Sequence, residues 1–498
     1  MKKCTKLTAL ALLLAMLVTA AVSCGSGGSG SGAADTTASG ETTPAETTPA
    51  ETEPPISYKT ANLPEKKYDG YKFRSVMTDQ SKDYAWYHLD AEQNGDILND
   101  AIYERNATIE EAFDVEISEI LYENASANNN IKNVILAGDD AFDIIFASMV
   151  WSHGYVQNDL IIDLNTVDYI DLEQQWWDQA VIRDLELNDH VYYVTGDISP
   201  NVDMRSYAMV FNKDMVEELK LDDPYQMVRD GKWVFETFKK YVTGVNSDIN
   251  GDGKMDYDDR WGFFSELYNT SMMFVSAGGE FVMPNKAHDG LEYNVLKEAN
   301  INRLIASLEI MNDENVTLLA NDYVSANGNS WTAASNWYAG GNALLRSSVL
   351  EPIPRDYRSM ETDFGVLPYP KFDEAQDDYI TLAGASGGRF ISIPVIQKDI
   401  ERTGIILEAL AAESVNTVKT AFYDFCLTGK YVRDDESSEM LDIIFEGKKL
   451  DWGYIINVAS MNGQITTLEK AKNNDPVSAF TSLESQVNTL LTQYMEHY

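Results

Sequence analysis

Residues Tyr71-Lys72-Phe73-Arg74-Ser75-Val76-Met77 alternate apolar with polar side chains, the period-two pattern of a strand that buries one face. Leu98, Ile102, Ile109 and Phe113 then recur at spacings of four and seven, which places them on one side of a helix. Asn94 or Asp96 stands where that helix needs an N-cap. Val115 and Ile117 open a second strand, and another helix runs to about Gly138. Asp143-Ile144-Ile145-Phe146-Ala147 has the continuous apolar character of a strand covered on both faces. This β-α-β-α-β order predicts a mainly parallel sheet with helices packed on it. Farther along, Ile301, Leu304, Ile305 and Leu308 form a core-facing helical stripe, and Arg389-Phe390-Ile391-Ser392-Ile393-Pro394 reads as a strand.

The first 56 residues follow neither period. Met1-Lys2-Lys3 is basic, and Leu7 to Val22 is apolar apart from two Thr, too short to span a bilayer comfortably. Residues 1–23 are therefore read as a secretory signal. Ala21-Val22-Ser23-Cys24 resembles the lipobox of bacterial lipoproteins, which implies acylation of Cys24 and a chain anchored by lipid at the extracellular face of the cell membrane. From Gly25 to Ile56 the chain is Gly/Ser-rich and then a Thr-Thr-Pro-Ala-Glu near-repeat, with too few large apolar residues to fold. Residues 24–56 are expected to act as the lipidated Cys and a disordered tether, whose mean reach is roughly 30 Å.

Composition narrows the function classes. A chain of 498 residues with 44% hydrophobic side chains can bury large cores, and two domains are expected. Its formal net charge of -41 becomes -44 once Lys2, Lys3 and Lys6 leave with the signal, a surface that repels phosphate backbones and disfavours nucleic acid. It repels anionic lipid equally, so membrane contact must come from the acyl chains. With three Cys in all, one of them Cys4 in the signal, no disulfide framework or Cys-based metal site forms.

One motif has metal-ligand spacing. In residues 248–259 the side chains of Asp248, Asn250, Asp252, Asp256 and Asp259 and the carbonyl of Lys254 fall at positions one, three, five, nine, twelve and seven of an EF-hand-like loop. Gly253 sits at position six, where such a loop must turn sharply. So many oxygens suit a hard dication, and Ca²⁺ is the expected occupant, as a structural clip because the loop stands alone rather than paired. Two strings with catalytic spelling carry no chemistry. Gly25-Ser26-Gly27-Gly28-Ser29-Gly30 neither follows a strand nor opens a helix. Gly384-Ala385-Ser386-Gly387-Gly388 lacks the helix a nucleophile elbow needs, and the one His downstream is His497. Paired carboxylates for glycoside hydrolysis stay open, since 79 acidic residues offer many pairs. Nine Trp and 27 Tyr favour ligands with C–H faces and hydroxyls. Trp151 follows the buried strand directly, at the carboxyl end where α/β folds bind ligands.

Several short strings, in order, resemble the family 1 extracellular solute-binding proteins, the lipoprotein receptors of carbohydrate ABC importers. They are Asp143-Ile144-Ile145-Phe146, Asp163-Leu164-Asn165, Trp176-Trp177-Asp178, Gly196-Asp197, Val210-Phe211-Asn212-Lys213 and Asp222-Asp223-Pro224-Tyr225. The loop at 248–259, Phe364-Gly365-Val366-Leu367-Pro368-Tyr369-Pro370-Lys371 and Arg433-Asp434-Asp435-Glu436-Ser437 complete the series. The resemblance implies a periplasmic-binding-protein-like type II fold: two discontinuous α/β lobes joined by crossing strands, with the ligand enclosed between them. The expected N-terminal lobe is 57–204 plus 344–389, and the C-terminal lobe 205–343 plus 390–498. Crossings are expected near Met204 to Asn212, Ala343 to Ser348 and Phe390 to Pro394. The implied function is non-catalytic: capture of a sugar or oligosaccharide by a monomer and delivery to ABC permease subunits. Trp151, Tyr268 and Trp452 would stack on the sugar, while Asp79, Gln80, Asp197, Arg205 and Glu266 would exchange hydrogen bonds with it. Two alternatives remain at this point, a surface glycoside hydrolase or lyase and a binder of peptide or another solute on the same fold.

Overall fold

The helix Ile97–Phe113 begins where Asp96 accepts hydrogen bonds from Leu98 N (3.2 Å) and Asn99 N (3.3 Å), and it ends at Asp114 in the left-handed conformation. Its apolar stripe of Leu98, Ile102, Ile109 and Phe113 is buried, as the spacing requires. The computed structural model describes residues 56–78, 84–122, 126–325, 328–384, 387–425 and 434–498. The signal, Cys24, the tether up to residue 55, Asp79, Gln80, Ser386 and Arg433 lie outside the described residues.

Thirteen strands are described: β1 Tyr71–Thr78, β2 Val115–Tyr122, β3 Ile144–Ser148, β4 Tyr207–Asn212, β5 Trp261–Ser265, β6 Val282–Pro284 and β7 Leu291–Tyr293, followed by β8 Thr317–Leu319, β9 Ala343–Val349, β10 Phe364–Leu367, β11 Thr381–Leu382, β12 Arg389–Ser392 and β13 Lys448–Lys449. The first sheet has the order β12-β3-β1-β2 and the second β10-β4-β9-β5-β8; β11-β13 and β6-β7 are two-stranded ribbons. The parallel core expected from the β-α-β-α-β pattern is present, with Tyr71 opposite Val115 and Ser75 opposite Ile144. Asp143, fully buried, ties this core together. Its carboxylate accepts from Tyr71 Oη (2.6 Å), Arg74 N (2.7 Å), Arg74 Nε (3.1 Å) and Gln397 Nε2 (2.7 Å).

Sheet membership departs from the expected lobe boundaries in two places. Strand β12, expected from residue 390 in the C-terminal lobe, pairs antiparallel with β3 in the first sheet, Ile391 facing Phe146. The helices Ile400–Ser414 and Val418–Phe425 follow it there and pack on Ile97–Phe113. Strands β9 and β10, expected in the N-terminal lobe, belong to the second sheet, where β9 lies between β4 and β5. The chain therefore moves between the lobes after Met204, between Leu382 and Arg389, and between Phe425 and Asp435. The crossing expected at Ala343 to Ser348 is instead a central strand, because each of its edges already has a hydrogen-bonded neighbour. No described helix is long and apolar enough to cross a membrane.

Candidate functional site

Strands β5 and β9 are parallel, and their carboxyl ends open on one cavity of about 490 Å³. This is the position that α/β folds use for ligands. A larger groove of about 1020 Å³ runs along residues 57–67 and the helix Ile97–Phe113, away from the strand ends. A second groove of about 670 Å³ beside Asp184, Lys448 and Lys449 is also larger, and the site is assigned to the strand-end cavity for its place at the carboxyl ends of β5 and β9, not for its size.

The floor is a buried polar network. Arg346, in the middle of β9, is fully buried and donates to Glu266 Oε1 (2.7 Å) and to the carbonyl of Trp331 (3.1 Å), and it also bonds the Tyr357 hydroxyl. Glu266 follows β5 directly, and its second oxygen accepts from Asn269 Nδ2 (2.8 Å). Asn269 also donates to Ser265 Oγ (3.1 Å) and Ser347 Oγ. Burial pushes the Glu266 carboxyl up, while Arg346 and Asn269 pull it down. A buried Arg and Glu so placed neutralise each other, and loss of either partner would strand a charge.

Arg205 enters from the first crossing, where its guanidinium pairs with the buried Glu351. Glu351 also accepts from Tyr87 Oη (3.1 Å) of the first lobe and from Arg355 Nη1 (3.3 Å). Arg355 lies over the Trp331 ring at 4.5 Å, so one face of that indole is covered by a cation and the ring is held in the cavity wall. Tyr207 and Tyr454, which also line the cavity, share a hydrogen bond between their hydroxyls, and Tyr268, 52% exposed, stands at the rim. Among the described residues lining the cavity, Glu266 is the one carboxylate. Both charged lining groups, Glu266 and Arg205, are already paired, so the cavity offers amides, hydroxyls and aromatic faces.

The structure places Arg205, Glu266 and Tyr268 on one cavity, with the charges of Arg205 and Glu266 engaged by Glu351 and Arg346. Trp151 occupies the expected place after β3, in the helix Met149–Ser152, which packs on the helix Trp452–Ile456 that carries Tyr454. Its ring is 62% exposed and outside the cavity lining. Asp197 is spent elsewhere, paired with Lys419 at 3.1 Å, and burial pushes its carboxyl up to about 6. Trp452 is a correction: it is fully buried, donates to the Asp184 carbonyl (2.8 Å) and packs edge-on against Tyr494 and Tyr498. Tyr207, Asn269, Trp331, Arg346 and Tyr454 were not anticipated. The signal for Arg346 was present: Ala343-Leu344-Leu345-Arg346 places a charge inside an apolar strand, where it requires a buried acid.

In the loop at 248–259, Gly251 and Gly253 take φ values of 75° and 79°. Asp248 accepts from Gly251 N (2.6 Å) and Gly253 N (2.9 Å), and Asn250, Asp252 and Asp256 each accept from the N–H two residues on. Asp259 is fully buried and accepts from Ile249 N and Asp256 N, both at 3.0 Å. The donor set, oxygens from Asp248, Asn250, Asp252, Asp256, Asp259 and the Lys254 carbonyl, suits a hard cation. Among the described residues, however, no three acidic, His or Cys side chains gather closely enough to hold one.

No family model and no curated protein matches the chain. Solved structures do match its shape. The ABC substrate-binding protein Lmo0181 of Listeria monocytogenes, in complex with cycloalternan, superposes with a TM-score of 0.55 at 12% identity over 85% of this chain and 100% of its own. The GacH receptor of Streptomyces glaucescens, solved unliganded and with acarbose, gives 0.54 at 14% identity over 85% and 99%. The maltose/maltodextrin-binding domain MalE of Bdellovibrio bacteriovorus, bound to maltotriose, gives 0.52 at 12% identity over 84% and 100%. With its two mixed sheets and three connections between lobes, the chain shares the two-lobed α/β fold of these three proteins.

Proposed function

We propose that this chain is the solute-binding component of an ABC importer and that its ligand is a sugar or short oligosaccharide. The observation that carries the proposal is the cavity itself. It holds about 490 Å³, within the range for small-ligand pockets, and each charged lining group is already neutralised. Uncharged hydroxyls can exchange hydrogen bonds with the Asn462 amide oxygen and the Tyr207 and Tyr454 hydroxyls, while Trp331 and Tyr268 offer faces to C–H groups. Three solved proteins of the same fold carry carbohydrates or their analogues. Glycoside hydrolysis in its common form needs two carboxylates across the scissile bond, and Glu266 stands alone among the described lining residues with both its oxygens engaged.

Capture follows from the connections. The lobes swing about the segments that connect them, close on the solute, and the closed form docks on the permease. Acylation of Cys24 and the tether through residue 56 would hold the protein as a monomer at the extracellular face of the membrane, within reach of that permease. The deciding experiment is a thermal-shift screen of maltotriose, acarbose and cycloalternan against a set of short peptides. Binding to the folded state raises the melting temperature by mass action, so a sugar is expected to raise it. A shift with peptides alone, or sustained turnover of a sugar, would remove the reading.

The loop at 248–259 is proposed to hold Ca²⁺ as a structural clip, supported by its donor spacing and by the two glycines in left-handed turns. Chelation is expected to lower the melting temperature without changing sugar affinity, and an unchanged melting curve in chelator would contradict the clip.

A further inference from the structure

Tyr268 sits where the chain leaves β5 and starts the helix Asn269–Ser276, with φ = 87° and ψ = -21°. Glycine, Asn or Asp fills such left-handed positions at little cost, whereas a bulky aromatic residue is strained there. The helix receives no hydrogen bond from the Tyr268 side chain at its start. The cap comes from another element. Glu469, in the helix Met461–Lys470, is fully buried, and its carboxylate accepts from Tyr268 N (3.1 Å), Thr270 N (3.4 Å) and Thr270 Oγ1 (2.6 Å). A carboxylate this deep is costly, and burial raises its proton affinity while these three bonds lower it. The helix that carries the cavity residue Tyr454 is capped differently, by its own N-cap residue Asp451. Asp451, also fully buried, accepts from Tyr454 N (3.2 Å), Phe281 N (2.7 Å) and Val282 N (3.3 Å).

We propose that Glu469 is a positioning residue for the ligand site: it holds the Tyr268 backbone left-handed so that the ring stands ready at the cavity rim before the solute arrives. The proposal rests on the carbohydrate-binding reading for what the ring does, not for how it is held. A helix start alone could be capped by its own Ser, Asp or Asn, and a left-handed turn alone is served by Gly. Neither alternative supplies an aromatic face. Ordering the ring in advance removes a cost that binding would otherwise carry.

Four variants separate positioning from stability: Tyr268→Gly, Glu469→Gln, Glu469→Ala and the double variant Tyr268→Gly with Glu469→Ala. Affinity is measured with whichever of maltotriose, acarbose or cycloalternan gives the largest shift on the wild type. Tyr268→Gly is expected to melt at or above the wild type while affinity falls about tenfold. Glu469→Ala lowers affinity by a similar factor, and Glu469→Gln, which keeps an acceptor oxygen, lowers it less. In the Tyr268→Gly background Glu469→Ala has no further effect on affinity. A crystal structure of Glu469→Ala is expected to show Tyr268 at negative φ. Retention of φ near 87° there, or an equal loss of affinity from Glu469→Ala with and without the Tyr268 ring, would overturn the proposal. The backbone readout requires no ligand, so a wild type that binds none of the sugars would defeat the receptor reading while Tyr268 φ still decides this one.

Discussion

Trp331 and Trp452 have the same side chain and opposite roles, and neither role can be read from its immediate neighbours in sequence. Trp452 follows Asp451, which caps its helix, and its indole N–H finds the Asp184 carbonyl in the core. Trp331 follows Ser330 at the start of another helix, under the Arg355 guanidinium and against the cavity. Replacement by Ala should separate them. Trp452→Ala is expected to cost about 3–5 kcal/mol of stability, measured by denaturant unfolding, through the cavity it leaves. Trp331→Ala should leave stability within about 1 kcal/mol and weaken sugar binding by about tenfold or more, measured by titration calorimetry. Arg346 and Glu266 show what was legible at this scale. A charge inside an apolar strand signals a buried partner, but which of 79 acids answers it is set by how β5 and β9 pair.

The strands and helices of the first sheet follow closely from hydrophobic period, since β1, β2 and β3 and the helix Ile97–Phe113 fall where the pattern places them. Strand β12 was also visible as a strand, yet its sheet was not. Its pairing with β3 is a contact between residues more than 240 positions apart, and no local pattern encodes that choice. Strand β10 adds a constraint of another kind. A Cβ on Gly365 would lie 2.0 Å from the Tyr225 hydroxyl and 2.4 Å from the Phe211 ring, both fixed in the core. Gly365→Ala is therefore expected to destabilise the protein by about 1–3 kcal/mol through overpacking, seen as a lower denaturation midpoint with an unchanged slope.

At the scale of the whole molecule, buried carboxylates set a pH dependence. Burial is the leading cause that pushes Asp197 and Asp451 up to about 6 and Glu408 up to about 8; Glu408 accepts from the indole N–H groups of Trp176 (3.1 Å) and Trp177 (3.0 Å). The ordinary values are 3.8 for Asp and 4.5 for Glu, so the folded protein binds these protons more tightly than the unfolded chain. Stability from such groups is fully present below the ordinary values and is lost as pH rises through about 6 and then about 8. Relief of self-repulsion in a chain of net charge -41 acts in the same direction. The melting temperature is thus expected to rise as pH falls from 8 to about 5 at constant ionic strength. A scan in which it falls over that range would contradict the assignment. Sequence by itself determined the elements, the α/β class, the acidic surface and the spacing of the loop at 248–259, because period, charge and spacing are local properties of the chain. Tertiary structure alone decided which strands share a sheet, which tryptophan faces the cavity and which acid meets Arg346. Those outcomes depend on contacts between distant segments, and many pairings satisfy the same local pattern until packing and the pairing of buried polar groups select one.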